Sequence, residues 1–448
     1  MKNRLLDSDR PTPNHRGQGR GAGARALGLA VAALAAALLL GAEAEARNVR
    51  LGLLTSATGP AAATGEDQKR AVSLAREEIN AAGGVFVKDL NAKVQLDVFI
   101  GDDQTSREGA VSGVTKLIVE DKVDLVFGGL GSAFGMAALP LIREHVVPYI
   151  PTPSTPLFTR TPEMGPDPTK AMVFHYQATG LMYGAAIADF LVGEVKPVMA
   201  PDKALRVAWL YQDSPFGAEF FRGFSDRLKE AKHPVEVVAA ERFKVGETDY
   251  RPQLTKIKAL APHALVPMGF RGETVAMLQQ AVLDVGLDAK RTHLGPVCAC
   301  ADDPLYYKDL GKIGQSTTIM SLYSTYAVPK GPAFARWARF RDAYQKKFGV
   351  LPGLLGVSAY DAVYVAARAV ELAGSLDRAK IIQALGRLEM EQLVLPVRGG
   401  KVRFDPKYRE VEFFLFAQQM FWDEKLGELR PVIIWPAELG EAKYRHPS

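Results

Sequence analysis

Two stretches of this chain share one layout: a short apolar run, a loop of small and hydroxylated residues, then an amphipathic helix. They are Val49–Val85 (VRLGLLTSATGPAAATGEDQKRAVSLAREEINAAGGV) and Asp124–Thr155 (DLVFGGLGSAFGMAALPLIREHVVPYIPTPST). A buried strand feeding a helix through such a loop is the βα half of a parallel unit. The loop turns its backbone N–H groups and hydroxyls toward the carboxyl edge of the sheet, where small ligands bind.

The same alternation continues. Strands are expected at Val49–Leu54, Val94–Ile100, Asp124–Gly128 and Val147–Pro151. Helices are expected at Asp67–Ala82, with Val72, Ala75, Ile79 and Ala82 on one face, at Thr105–Glu120 behind a capping box, and at Ala133–His145. Gly83-Gly84 ends the first helix, since glycine accepts the left-handed conformation a helix end needs. Thr152–Lys170, rich in Pro, Thr and Ser, reads as a loop. A second set follows, with strands at Leu205–Tyr211, Val235–Glu241, Ala264–Gly269, His293–Val297 and Thr317–Tyr323. Its helices fall at Gly217–Ala231, Tyr250–Ala259 and Gly272–Val285. Helices Ala333–Phe348, Ser358–Ala373 and Asp377–Leu385 and a late strand, Phe413–Phe421, close the pattern. Two α/β sets with elements left over at the end imply two lobes, each completed by a later segment.

The N-terminus reads as an export signal. Residues 1–25 carry Arg4, Arg10, Arg16, Arg20 and Arg25, an apolar run spans Ala26–Leu40, and A-x-A sites end at Ala44 and Ala46. The competing reading, a membrane anchor, needs about 20 apolar residues. Cleavage would take six Lys/Arg and four Asp/Glu from totals of 55 and 50, leaving a net charge of +3. That balance makes no electrostatic case for nucleic acid or an anionic membrane surface. No later apolar run reaches a membrane span. The two cysteines, Cys298 and Cys300, form C-A-C; free thiols, a strained disulfide and a metal site all stay open.

Catalytic signatures are missing. Gly129-x-Gly131-x-x-x-Gly135 has the wrong spacing for a dinucleotide loop, no G-x-S-x-G elbow surrounds a serine, and the seven histidines are scattered. Asp102-Asp103, at a strand end, reads as structural. No cofactor is implied.

The residues resemble periplasmic solute-binding proteins of ABC transporters, the branched-chain amino acid (leucine/isoleucine/valine) binding family. The resemblance rests on Thr58-Gly59-Pro60, Gly65-Glu66, Glu78 to Gly84, Asp102-Asp103, Gly128 to Ser132, Pro148 to Thr155, Tyr360-Asp361-Ala362, Ala373 to Asp377 and Phe404-Asp405, in that order. It implies an α/β fold of two Rossmann-like lobes with parallel central sheets, joined by three crossovers, with the ligand in the cleft. The expected division is a signal peptide over 1–46, lobe 1 over 47–177 plus 325–404, lobe 2 over 178–324 plus 405–436, and a tail over 437–448. It also implies a monomer that is not an enzyme, located in the periplasm, passing a small solute to membrane permease and ATPase subunits. A sensing subunit for a separate signalling protein and an exported enzyme are the rival readings.

Carried onto single residues, the resemblance implies that Ser132 and Pro153-Ser154-Thr155 grip the ligand's charged end. Thr64 stands where some members place a ring. Phe216, Phe270 and Arg271 stand where members line the second lobe. The family's amino-acid binders often carry a Glu after Gly-Pro. Here Gly295-Pro296 leads to Val297 and Cys298, so the acid that would pair an ammonium is absent, and a plain α-amino acid ligand is not expected.

Overall fold

The structure is a computed structural model that describes residues 47–160, 171–298, 304–329 and 334–447. The expected signal peptide, part of the 152–170 loop, and Cys300 lie outside these residues.

Lobe 1 is built on a parallel sheet in the order β2-β1-β3-β4, with β1 (Val49–Thr55), β2 (Leu96–Asp102), β3 (Leu125–Gly128) and β4 (Tyr149–Pro151). Its helices are α1 (Ala62–Ala81), α2 (Arg107–Thr115, continued by a π turn to Glu120) and α3 (Ser132–Glu144). Lobe 2 repeats the order as β6-β5-β7-β8, with β5 (Leu205–Gln212), β6 (Val235–Phe243), β7 (Ala264–Gly269) and β8 (His293–Leu294). A further short strand, β9 (Val297–Cys298), also pairs with β7. Its helices are α4 (Gly180–Phe190), α5 (Pro215–Glu230), α6 (Arg251–Ala259) and α7 (Arg271–Gln279). Strands β1, β3, β5 and β7 are buried on both faces, which explains why they read as apolar runs without alternation.

After lobe 2 the chain forms β10 (Thr318–Ser321), then α8 (Ala335–Phe348), α9 (Leu354–Ala373) and α10 (Arg378–Gly386). Helix α9 packs on α1 and β3, returning to lobe 1. Then β11 (Phe416–Asp423) and β12 (Glu428–Trp435) complete an antiparallel sheet with β10. The chain thus passes between the sheets near 171–179, 322–329 and 404–415. The first and third passes lie side by side through the His175–Glu410 bridge.

Several boundaries differ from the sequence reading, each for a local reason. Helix α1 starts at Ala62, five residues early. Ala82 is an exposed C-cap, not a core position. Val94 belongs to a small hairpin with Val85, and the strand begins at Leu96. Ser106, not Thr105, caps α2, accepting from Gly109 N. Thr105 has φ +55°, outside the extended conformation of a cap, and its hydroxyl accepts Ala61 N instead. The single strand expected at His293–Val297 splits in two, because Pro296 has no N–H for the ladder. Helix α4 and strand β12 were not anticipated.

Candidate functional site: the cleft between the sheets

The carboxyl edge of lobe 1 is set by Gly128 and Gly129, whose φ angles of +91° and +93° only glycine adopts without strain. A Cβ on Gly128 would stand 2.6 Å from Leu53 Cδ1 and 2.8 Å from the Leu54 carbonyl oxygen. The Gly129 carbonyl accepts from Gln68 Nε2 at 3.3 Å and Thr152 Oγ1 at 2.9 Å, which locks two loops together. This places Ser132 at the first turn of α3. The N-cap there is Gly131, and no side chain caps the helix. A helix start without an internal acceptor favours an anion.

The next loop, Thr152-Pro153-Ser154, is anchored from behind. His175 Nε2 meets the Pro153 carbonyl at 2.5 Å, and Gly180 N donates to the Ser154 carbonyl at 2.8 Å. A carbonyl only accepts, so Nε2 carries the proton. Burial lowers the His175 pKa and keeps the ring neutral. Beyond, Thr159 Oγ1 and Arg160 Nε both reach Glu410 Oε1 at 2.8 Å, tying the loop to the third pass of the chain.

Lobe 2 presents rings. Phe216 lies in the first turn of α5 and Phe270 is the N-cap residue of α7. Their rings are parallel within 8°, with centroids 5.9 Å apart. Phe220 lies edge-on to Phe216 at 5.0 Å and stacks on Tyr183 at 4.9 Å. Here several polar groups are satisfied internally. Ser214 Oγ accepts Gly217 N, and the Glu273 carboxylate accepts Phe270 N at 2.8 Å, Gly246 N at 2.8 Å and Gln212 Nε2 at 2.7 Å.

A cavity with about 520 Å³ of empty space, partly open to solvent, lies between the two edges. Of the anticipated residues, Ser132, Pro153, Ser154, Phe216, Phe270, Val297 and Cys298 line it. Thr155 does not; it is buried, and its hydroxyl accepts Leu157 N at 3.3 Å, capping a short 3₁₀ turn. Thr64 sits in the first turn of α1, outside the lining. Its neighbour Gly65 packs so tightly that a Cβ would fall 1.9 Å from the Ser56 carbonyl oxygen. Arg271 also lies outside, with its guanidinium 3.6 Å from Asp309. Cys298 is disulfide-bonded.

The cavity also takes in Gln177, Tyr183, Phe220, Leu354 and Leu355, which the sequence reading did not single out. The i, i+4 spacing of Phe216 and Phe220 was a usable signal for one of them. Leu354 and Leu355 arrive because Asp67 holds the start of α9, accepting Gly356 N at 3.0 Å and the Tyr344 hydroxyl at 2.7 Å. Gln177 is oriented by its bond to Ser358 Oγ at 3.0 Å. Deeper in α9, Asp361 accepts Val394 N at 3.1 Å, Leu395 N at 2.9 Å and the Tyr176 hydroxyl at 3.2 Å. Burial pushes its carboxyl up to about 6.

Among the described residues, no acidic or basic side chain lines the cavity. Asp213, one possible source of a counter-charge, instead pairs with Arg242 at 3.1 Å; Asp302, another, lies outside the described residues. Also among the described residues, no cluster of His, Cys, Asp and Glu could hold a metal ion, and no helix is long and apolar enough to cross a membrane.

The comparisons with known proteins agree with this geometry. Residues 48–416 match the model of a periplasmic binding protein family. The leucine-, isoleucine-, valine-, threonine- and alanine-binding protein of Pseudomonas aeruginosa is 26% identical over 340 residues, 76% of this chain and 82% of that protein. The isoleucine complex of the substrate-binding protein LivJ from Streptococcus pneumoniae superposes with a TM-score of 0.68 at 23% identity, covering 87% of this chain and all of that one. A solute-binding protein from Rhodopseudomonas palustris, in complex with 3,4-dihydroxybenzoic acid, gives a TM-score of 0.68 at 20% identity, covering 89% of this chain and 99% of that one. With the family's model spanning both sheets and the cleft between them, this chain belongs to the periplasmic binding proteins, as a ligand-binding protein of the ABC-transporter type.

Proposed function

We propose that the protein is the periplasmic receptor of an uptake transporter for a small carboxylate with an apolar, preferably aromatic, body, and that it is not an enzyme. One observation carries this reading. The cavity sets the uncapped start of α3 and the hydroxyls of Ser132 and Ser154 against a wall of Phe216, Phe220, Phe270 and Tyr183, with no charged side chain in the described lining. A carboxylate meets N–H and O–H donors there, and charge-assisted bonds of that kind are the stronger ones. An ammonium would meet no acid, and burying it uncompensated costs several kcal/mol. The relative in Pseudomonas aeruginosa is named for amino acids, and one structural neighbour holds an aromatic acid. The composition of this cleft favours the second class.

The same proposal assigns 47–177 plus 325–404 to lobe 1 and 178–324 plus 405–436 to lobe 2, with closure about the three passes. The packing of α9 on α1 and the pairing of β10 with β11 support that division. In this reading residues 1–46 direct export, the closed monomer is read by permease and ATPase subunits, and no cofactor takes part. Mass spectrometry of ligand released from gently purified protein tests it. An aromatic or other apolar acid is expected; leucine, isoleucine or valine would overturn the ligand class.

A further inference from the structure

Behind the ligand cavity, lobe 2 holds a second, smaller space. Its walls come from Ile187 and Phe190 of α4, Val266 of β7, and Ile319 and Met320 of β10. Its polar side chains are occupied with one another: His293 Nε2 and Thr318 Oγ1 are 2.9 Å apart, and His293 Nδ1 is 3.0 Å from the Tyr444 hydroxyl. The space is therefore apolar in character, and as it stands it is about large enough for one water-sized sphere.

One residue borders both spaces. Val297 lines the ligand cavity and the second cavity alike, whereas Gly295 and Pro296 before it line only the second, and Cys298 after it only the first. The chain crosses from one space to the other at this position, and Val297 is buried, 3% exposed. We propose that the Val297 side chain is the partition between the two cavities and sets the length of apolar substituent the ligand can carry. This rests on the carboxylate reading above. With the carboxylate at the start of α3, the ligand's far end points at lobe 2, and β9 closes part of that end.

The test is a calorimetric series of 4-alkylbenzoates, methyl to butyl, with the full mature chain and with Val297→Ala. Removing two methyl groups joins the spaces. The wild type is expected to lose affinity at the longer substituents, and the variant to bind the propyl and butyl compounds at least tenfold more tightly than the wild type does. Val297→Ile keeps the wall and thickens it, so its ceiling should fall by about one carbon; it serves where Val297→Ala fails to fold. The same ceiling in wild type and variants would overturn the partition. Binding of no benzoate to any of the proteins would overturn the carboxylate reading instead. Xenon then judges the partition: density continuous across position 297 in pressurised Val297→Ala crystals supports it, and two separated spaces refute it.

Discussion

The two sheets have the same strand order, yet their carboxyl edges are equipped differently. In lobe 1 the helix after β3 starts at an uncapped Gly131-Ser132. In lobe 2 the equivalent helix after β7 starts at Phe270, and Glu273 from its own first turn accepts the Phe270 N–H. The loop after β5 likewise satisfies itself through Ser214. Neither of these two helix starts carries a side-chain cap, but the lobe 2 edge closes the Phe270 and Gly217 N–H groups with its own side chains and presents rings. In the proposed function the donors of lobe 1 receive the ligand's charged end and the rings of lobe 2 its apolar end.

The sharpest way to break this comparison is at Glu273. Glu273→Ala leaves two backbone N–H groups and the Gln212 amide without their acceptor, and should cost about 3 kcal/mol of stability in denaturant titrations. A small loss would mean that the lobe 2 edge does not depend on its own acid.

The buried acid on the lobe 1 side gives a pH signature of similar size. Asp361 is fully buried, and desolvation raises its pKa to about 6 against the lowering pull of Leu395 N, Val394 N and Tyr176. A raised carboxyl contributes stability that is present below its unfolded pKa of about 4 and is lost as pH rises through about 6. The loss should total about 3 kcal/mol, and Asp361→Asn should flatten that part of the stability–pH curve.

Binding separates the edges next. Ser132→Ala should weaken a carboxylate ligand by about 1–3 kcal/mol with little change in melting temperature. Phe270→Ala should weaken an aromatic ligand by about 1 kcal/mol while sparing a short aliphatic acid. Equal losses for both ligand types in both variants, read by calorimetry, would erase the division of labour. The smallest effect is expected from replacing Cys298 and Cys300 by Ser. Cys298 lines the cavity, so affinity should change, while a bridge closing so short a loop gains little entropy and the ligand-free melting temperature should move only a few degrees.

Much of this architecture was legible in the residues. The strands at Val49, Asp124, Leu205 and Ala264 announce themselves as apolar runs, because sheets covered on both faces need no alternation. Ser132 and Ser154 were found because each follows such a strand by a few residues. Helix α4 was not, since Leu181–Phe190 is apolar on nearly every face and lacks the 3.6-residue contrast that marks a half-exposed helix. Tyr183, Leu354 and Leu355 reach the cavity from elements far away in sequence, placed by contacts such as Asp67 to Gly356, and nothing local marks them. Thr155 illustrates the converse. It has the composition of a ligand contact, yet its hydroxyl is spent on its own turn.

In the proposed function lobe 1 supplies donors to a carboxylate, while among the described residues neither edge supplies an acid to an ammonium. Parallel calorimetric titrations of the mature protein with benzoate and with leucine test it most directly. A measurable dissociation constant is expected for benzoate, with leucine binding weaker by at least about 100-fold, the several kcal/mol that an unpaired buried ammonium costs. Leucine binding as tightly as benzoate, or more tightly, would contradict it.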